Sequence, residues 1–129
     1  MIKERLHNNC NGTITDFVTG LMWQKSGSCE KLNFKQAEAY VQGLNCRELA
    51  GYSDWRMPTV DELKSLITKD KQANGIFIDP SFDSKQESCW SSSRHADDIL
   101  YGWGVNFSYG DDNYYYKSGI YYVRAVRNV

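Results

Sequence analysis

Seven of the nine tyrosines fall between Tyr101 and Tyr122, and three of them, Tyr114-Tyr115-Tyr116, are consecutive. Successive side chains on a β-strand point to opposite faces, so three adjacent rings cannot share one core. At least one of the three must turn to the other face, and the same holds for the pair Tyr121 and Tyr122. Tyrosine offers a large rigid contact area at low entropic cost, and its hydroxyl keeps a wet partner. Such a run therefore suits a recognition surface, although tyrosine also simply favours antiparallel strands.

At 129 residues the chain has room for one domain, spanning 1–129, and one core. The hydrophobic fraction of 41% and charged fraction of 24% are those of a folded protein rather than a disordered one. Fifteen Lys and Arg against sixteen Asp and Glu leave no global basic field, which excludes general nucleic-acid binding. No apolar stretch approaches the roughly 18 residues of a membrane span. The charged start, Met1 to His7, has no apolar segment behind it, so no signal peptide or anchor is expected within this sequence.

Periodicity places the elements. Gly12 to Asp16 and Leu21 to Gln24 flank a turn and predict a hairpin. Ala37, Tyr40, Val41 and Leu44 form one stripe of a helix, with Asn33 and Gln36 as its start signal. Thr59 and Glu62 make a capping box before Leu63, Leu66 and Ile67. Beyond Ser88 the pattern turns to strands. Trp103, Val105 and Phe107 alternate with Gly104, Asn106 and Ser108, then a turn leads to Tyr114, and Ile120 to Val126 is a last β-rich run. Trp103 is thereby expected on a core face, and all four tryptophans are assigned mainly to packing. In the Gly51 to Thr59 segment, Trp55 is expected to be buried, with Asp54 and Arg56 on the opposite side and placed for ion pairing. The order predicts an α+β domain, two helices packed on short antiparallel strands.

Catalytic signatures are missing. His7 and His95 have no Ser or Cys nucleophile motif beside them, and no G-x-S-x-G, H-E-x-x-H or phosphate-binding glycine loop occurs. No enzyme activity, cofactor or metal is expected. Asp111-Asp112-Asn113 offers hard oxygens, but a calcium site needs six to eight from several segments, and these residues are also good turn formers. Cys10, Cys29, Cys46 and Cys89 are an even set at wide spacing without a C-x-x-C pair, which argues against a zinc site and favours two disulfides in an exported domain over four ordinary buried thiols in a reducing cell. Three connectivities are open.

Gly12 to Asp16, Thr19 to Trp23, Gly51 to Thr59 with Glu62-Leu63, Trp90 to Ser93 and Val123 to Arg127 occur in that order. Together they resemble the C-terminal domain family of the Legionella collagen-like adhesin (Lcl), over about residues 10–128. The resemblance implies an extracytoplasmic bacterial module, periplasmic, surface-anchored or secreted, with a compact C-type-lectin-like architecture related to formylglycine-generating enzymes. It brings no catalysis, since the late copper-binding cysteine pair of those enzymes has no counterpart after Cys89. Family members often carry cysteines where this chain has Val41 and Ala125, as if one bridge were lost as a unit. The cysteines present suggest Cys29–Cys46 around the first helix and Cys10–Cys89 beside the strand motifs.

The family's namesake binds sulfated glycans. Here seven acids between Asp79 and Asp112 face only Lys85 and Arg94, a sum of −5. A polyanion would be repelled unless Lys117, Arg124 and Arg127 form a separate basic patch. The expectation is a non-catalytic module that binds a neutral glycan or a surface protein, through Tyr109, Asp111, Asp112, Asn113, Tyr114, Tyr115, Tyr116 and Lys117. The competing expectation is an assembly domain of a larger surface protein or lipoprotein, with this hairpin in a subunit interface of a homo-oligomer.

Overall fold

The computed structural model describes residues 4–94 and 100–129; His95, Asp97 and Asp98 lie outside them. Among the described residues seven strands and two α-helices follow one another as β1 (Leu6–Asn8), β2 (Thr13–Asp16), β3 (Leu21–Gln24), α1 (Phe34–Cys46), α2 (Val60–Lys64), β4 (Ser88–Arg94), β5 (Tyr101–Asn106), β6 (Asp111–Tyr116) and β7 (Val126–Asn128). They form two antiparallel sheets, ordered β1-β2-β3-β7 and β4-β5-β6. The fold is compact α+β.

Both helices start where the sequence signals them. Asn33 Oδ1 accepts from the Gln36 N–H at 2.8 Å while Gln36 Oε1 accepts from the Asn33 N–H at 2.9 Å. Thr59 and Glu62 make the same reciprocal exchange at the head of α2, so the first free N–H groups of each helix are satisfied locally. Glu62 also receives a two-pronged bond from Arg56 at 2.7 and 2.8 Å. Asp54 instead pairs with Arg127 at 2.6 Å. Between them Trp55 is buried, its backbone N–H and C=O both held by the Asn45 side chain and its indole N–H by the Leu49 carbonyl.

The last extended segment divides the interior. Tyr122 and Val126 pack with Ile14, Trp23, Leu63, Phe82, Cys89, Val105 and Phe107 in one cluster. Val123 and Ala125 pack with Met22, Ala37, Val41, Leu44, Trp55 and Trp90 in a second. Strict alternation along 122–126 thus sends side chains into two cores. Arg124, fully buried on the side of the first cluster over the Phe82 ring, donates to the carbonyls of Gln24, Lys25, Ser26 and Asp83. Burial pulls its guanidinium below the ordinary arginine value, and no carboxylate pairs with it among the described residues.

Three sequence expectations change. The four cysteines are free thiols, so neither Cys29–Cys46 nor Cys10–Cys89 is bonded. Cys89 lies in the first core with its thiol on the Gln86 carbonyl, and burial pushes it up to about 11, whereas Cys10 sits exposed in the β1–β2 turn. The β-rich end is also shorter than expected: only Val126–Asn128 is strand, and Leu32↔Tyr121 and Cys89↔Tyr122 are isolated bridges. Finally, Tyr121 and Tyr122 do point oppositely, but each enters a core, so neither supplies an open surface. Val41 and Ala125 lie in the same cluster, as the loss of one bridge would require.

Candidate functional site

The β5–β6 hairpin sets Trp103 opposite Tyr114 and Tyr101 opposite Tyr116, with Gly102 opposite Tyr115 and Gly104 opposite Asn113. Paired residues in an antiparallel ladder share a face. Tyr101, Trp103, Tyr114 and Tyr116 therefore stand on one side, while Tyr115 stands on the other.

The two sides differ completely. On the inner side Tyr115 stacks on Tyr121 at 3.9 Å, and Trp90 meets Phe34, Tyr115 and Tyr121 edge-on at 5.1 to 5.9 Å. The two glycines make room for these rings. A Cβ on Gly104 would lie 2.6 Å from both the Cys89 carbonyl and the Tyr115 ring. Burial raises the Tyr115 phenol to about 12.

On the outer side Tyr101 lies 4.5 Å from Tyr116 and 5.5 Å from Tyr114, and Trp103 lies 5.3 Å from Tyr114, mostly at steep interplanar angles. Tyr114 is 47% and Tyr116 57% exposed, while Tyr101 and Trp103 are half-buried. These four rings make one aromatic platform.

The helical cover of this face is short. Helix α2 packs on this face of β4, β5 and β6, and Lys64 reaches Asp112 at 3.6 Å. A five-residue helix rises only about 7 Å, whereas a six-residue strand runs about 20 Å. Cys89, Val105 and Phe107 lie under cover in the first core, and the far end of the face projects past it.

The eight residues expected from sequence do not form one surface. Asp112, Tyr114 and Tyr116 share the platform face. Asp111, Asn113, Tyr115 and Lys117 belong to the opposite face by alternation, and Lys117 Nζ sits 4.8 Å over the Phe34 ring. Tyr109 is 76% exposed in the hairpin turn. Asp111 and Asp112 point apart and so do not converge on an ion. Among the described residues no group of three or more His, Cys, Asp or Glu side chains is placed to hold a metal. Sequence reasoning left out Tyr101 and Trp103. The missing signal was the pairing register: folding the hairpin about residues 107–110 puts Trp103 beside Tyr114. Trp103 does share its face with Val105, but it is half-buried and stands outside the first core.

The three cations that could have made a basic patch are dispersed. Arg124 is fully buried, Arg127 pairs with Asp54 and stacks on Tyr52 at 3.7 Å, and Lys117 lies over Phe34. Elsewhere, a hollow of about 540 Å³ is lined by Leu6, Leu66, Ile67 and Phe82, with Arg5 and Asp79 at its edge. Arg5 is committed to Asp16 at 2.7 Å and to the Ser65 carbonyl at 2.8 Å, and Asp79 accepts from the Ser81 N–H.

Against known families, residues 12–127 match the Lcl C-terminal domain, an adhesin-like family of bacterial surface domains. A search of curated proteins finds no match. No helix among the described residues is long and apolar enough to cross a membrane.

Proposed function

The chain belongs to the Lcl C-terminal domain family, and from that premise we propose that it is a non-catalytic, extracytoplasmic binding module that takes a neutral glycan on its aromatic platform. The observation that carries this reading is the grouping of Tyr101, Trp103, Tyr114 and Tyr116 on one strand face, with Tyr114 and Tyr116 exposed. Sugar rings present C–H faces that stack on aromatic rings, and the phenol hydroxyls at the rim offer hydrogen bonds to sugar hydroxyls. A surface protein is the alternative ligand, because the same rings make good interface anchors.

Charge favours the neutral sugar over the sulfated polymers bound by the family's namesake. A polyanion gains its affinity from several exposed cations acting together. In this chain Arg124 and Arg127 are already engaged, and Lys64 is paired with Asp112 at the platform face. The C-type-lectin-like architecture implied by the family resemblance accords with a small module of this kind.

A glycan array probed with the wild-type domain and with Tyr116→Ala tests the reading. Neutral glycans should be retained by the wild type and lost by the variant, with the melting temperature unchanged. Binding confined to sulfated glycans, or binding that survives Tyr116→Ala together with Tyr114→Ala, would sink it.

A further inference from the structure

Each face of the β5–β6 hairpin holds a close pair of tyrosine rings. Tyr101 and Tyr116 stand opposite each other across the ladder, with centroids 4.5 Å apart and planes tilted by 32°. On the inner side Tyr115 and Tyr121 stack at 3.9 Å and 21°. Phenols held at such distances are placed for one covalent reaction, oxidative coupling to dityrosine, because fixed neighbours meet far more often than free partners in solution. Distance alone favours the inner pair. Two other requirements of the chemistry favour the outer one.

The first is the proton. Taking an electron from a phenol makes its hydroxyl strongly acidic, so the proton must leave as well. The Tyr115 hydroxyl is buried with no hydrogen-bond partner among the described residues, and burial already holds that phenol up at about 12. Tyr116 is 57% exposed, so water takes its proton directly, and Tyr101 is half-buried on the same face. The second is ring rotation. The new bond joins ring edges, at carbons ortho to the hydroxyls, so stacked faces must turn before they couple. Trp90, itself fully buried, meets Tyr115 and Tyr121 edge-on at 5.9 and 5.1 Å, and turning either ring disturbs a packed interior. Tyr116 stands at the surface, where side chains change rotamer within nanoseconds.

We propose that Tyr101 and Tyr116 form a dityrosine staple across the β5–β6 hairpin when the domain meets a one-electron oxidant. Each phenol gives one electron to an oxidant molecule and its hydroxyl proton to solvent. The two phenoxyl radicals join through a carbon–carbon bond between the positions ortho to each oxygen. The hydrogen left on each coupled carbon then moves to its oxygen, which restores both phenols. The product has lost two hydrogens in all, and two oxidant molecules are each reduced by one electron. Tyr114 lies 5.5 Å from Tyr101 and Trp103 lies 5.3 Å from Tyr114, so a radical begun on either ring reaches the pair by electron exchange.

This inference does not depend on the glycan reading, because it is tested without any ligand. The exposed thiols of Cys10, Cys29 and Cys46 are first capped with iodoacetamide in the folded domain, so that they do not consume the oxidant. Photogenerated tris(bipyridine)ruthenium(III) then oxidises the dilute protein. Dityrosine fluorescence should appear in the monomer band, with a mass loss of two hydrogens. Digestion tells the pairs apart. Trypsin cuts after Lys117 and Arg124, so a Tyr115–Tyr121 bond would hold residues 118–124 to the hairpin peptide, whereas a Tyr101–Tyr116 bond releases them. Cleavage before Asp111 or Asp112 should leave the β5 and β6 peptides joined. Tyr116→Phe keeps the ring but removes the reacting hydroxyl and should abolish the signal, while Tyr121→Phe should keep it in full. The wild-type digest decides between the pairs even if a variant fails to fold. A domain that forms no dityrosine, a bond that retains residues 118–124, coupling only between two chains, or a signal that survives Tyr116→Phe would each overturn the proposal.

Discussion

β3 and β6 are both short antiparallel strands carrying aromatic rings, yet only one of them can serve as a surface. β3 lies between β2 and β7, all four of its residues are buried, and Trp23 and Met22 enter different cores. β6 has one neighbouring strand among the described residues, with Tyr115 turned in and half-buried and Tyr114 and Tyr116 exposed. The difference teaches that strand position and cover, rather than ring content, decide whether an aromatic residue stabilises the fold or meets a ligand. Within the β5–β6 hairpin the same contrast recurs between its two faces.

The sharpest way to break that contrast is to truncate the inner face. Trp90→Ala removes a fully buried indole and three edge-on ring contacts, and should lower unfolding free energy by about 3–5 kcal/mol in urea titration. A loss under about 1 kcal/mol would mean the inner face is not the structural one. Gly104→Ala asks the same question by addition. Its Cβ would press on the Cys89 carbonyl and the Tyr115 ring, and about 1–3 kcal/mol of destabilisation is expected. Equal or higher stability would show that the inner rings have slack.

An acid titration compares the sheets. Burial by itself would raise the Asp16 carboxyl, but Arg5 and the Val18 N–H outweigh it and hold Asp16 below its ordinary value of 3.8. A depressed carboxylate contributes stability that is fully present at neutral pH and is lost as pH falls through its folded-state value. Unfolding free energy should therefore decline below about pH 4, and Asp16→Asn should flatten that decline. An unchanged slope in Asp16→Asn would remove the ion pair from the account of the first sheet. The smallest stability effect belongs to the platform: Tyr116→Ala, decisive for the glycan reading, should shift stability by no more than about 0.5 kcal/mol.

Much of the fold was legible because it rests on local rules. Asn33 with Gln36 and Thr59 with Glu62 announce helix starts through bonds closed within four residues. The β2–β3 hairpin follows from its turn, and the burial of Trp55 follows from its alternating neighbours. The cysteines were not legible, because parity and spacing say nothing about depth. Cys89 is a core residue in β4, and its neighbours in space come from β5 and from the carbonyl of Gln86. Trp103 was half legible. Period two assigned its face correctly, but the reach of α2 across that face is a property of two segments about forty residues apart in sequence.

The sequence by itself determined that the tyrosine run must be split between two faces, because alternation along a strand admits nothing else. It also determined the helix starts and the family. Only the tertiary structure decided which half of the run faces outwards, since that depends on the two glycines of β5 opening one face to Tyr115 and on α2 ending before it covers the other. The scattering of Arg124, Arg127 and Lys117 was settled there too. Their partners are a set of loop carbonyls, an acid some seventy residues away and a ring on another element, and the range of such contacts is fixed by packing in space rather than by distance along the chain.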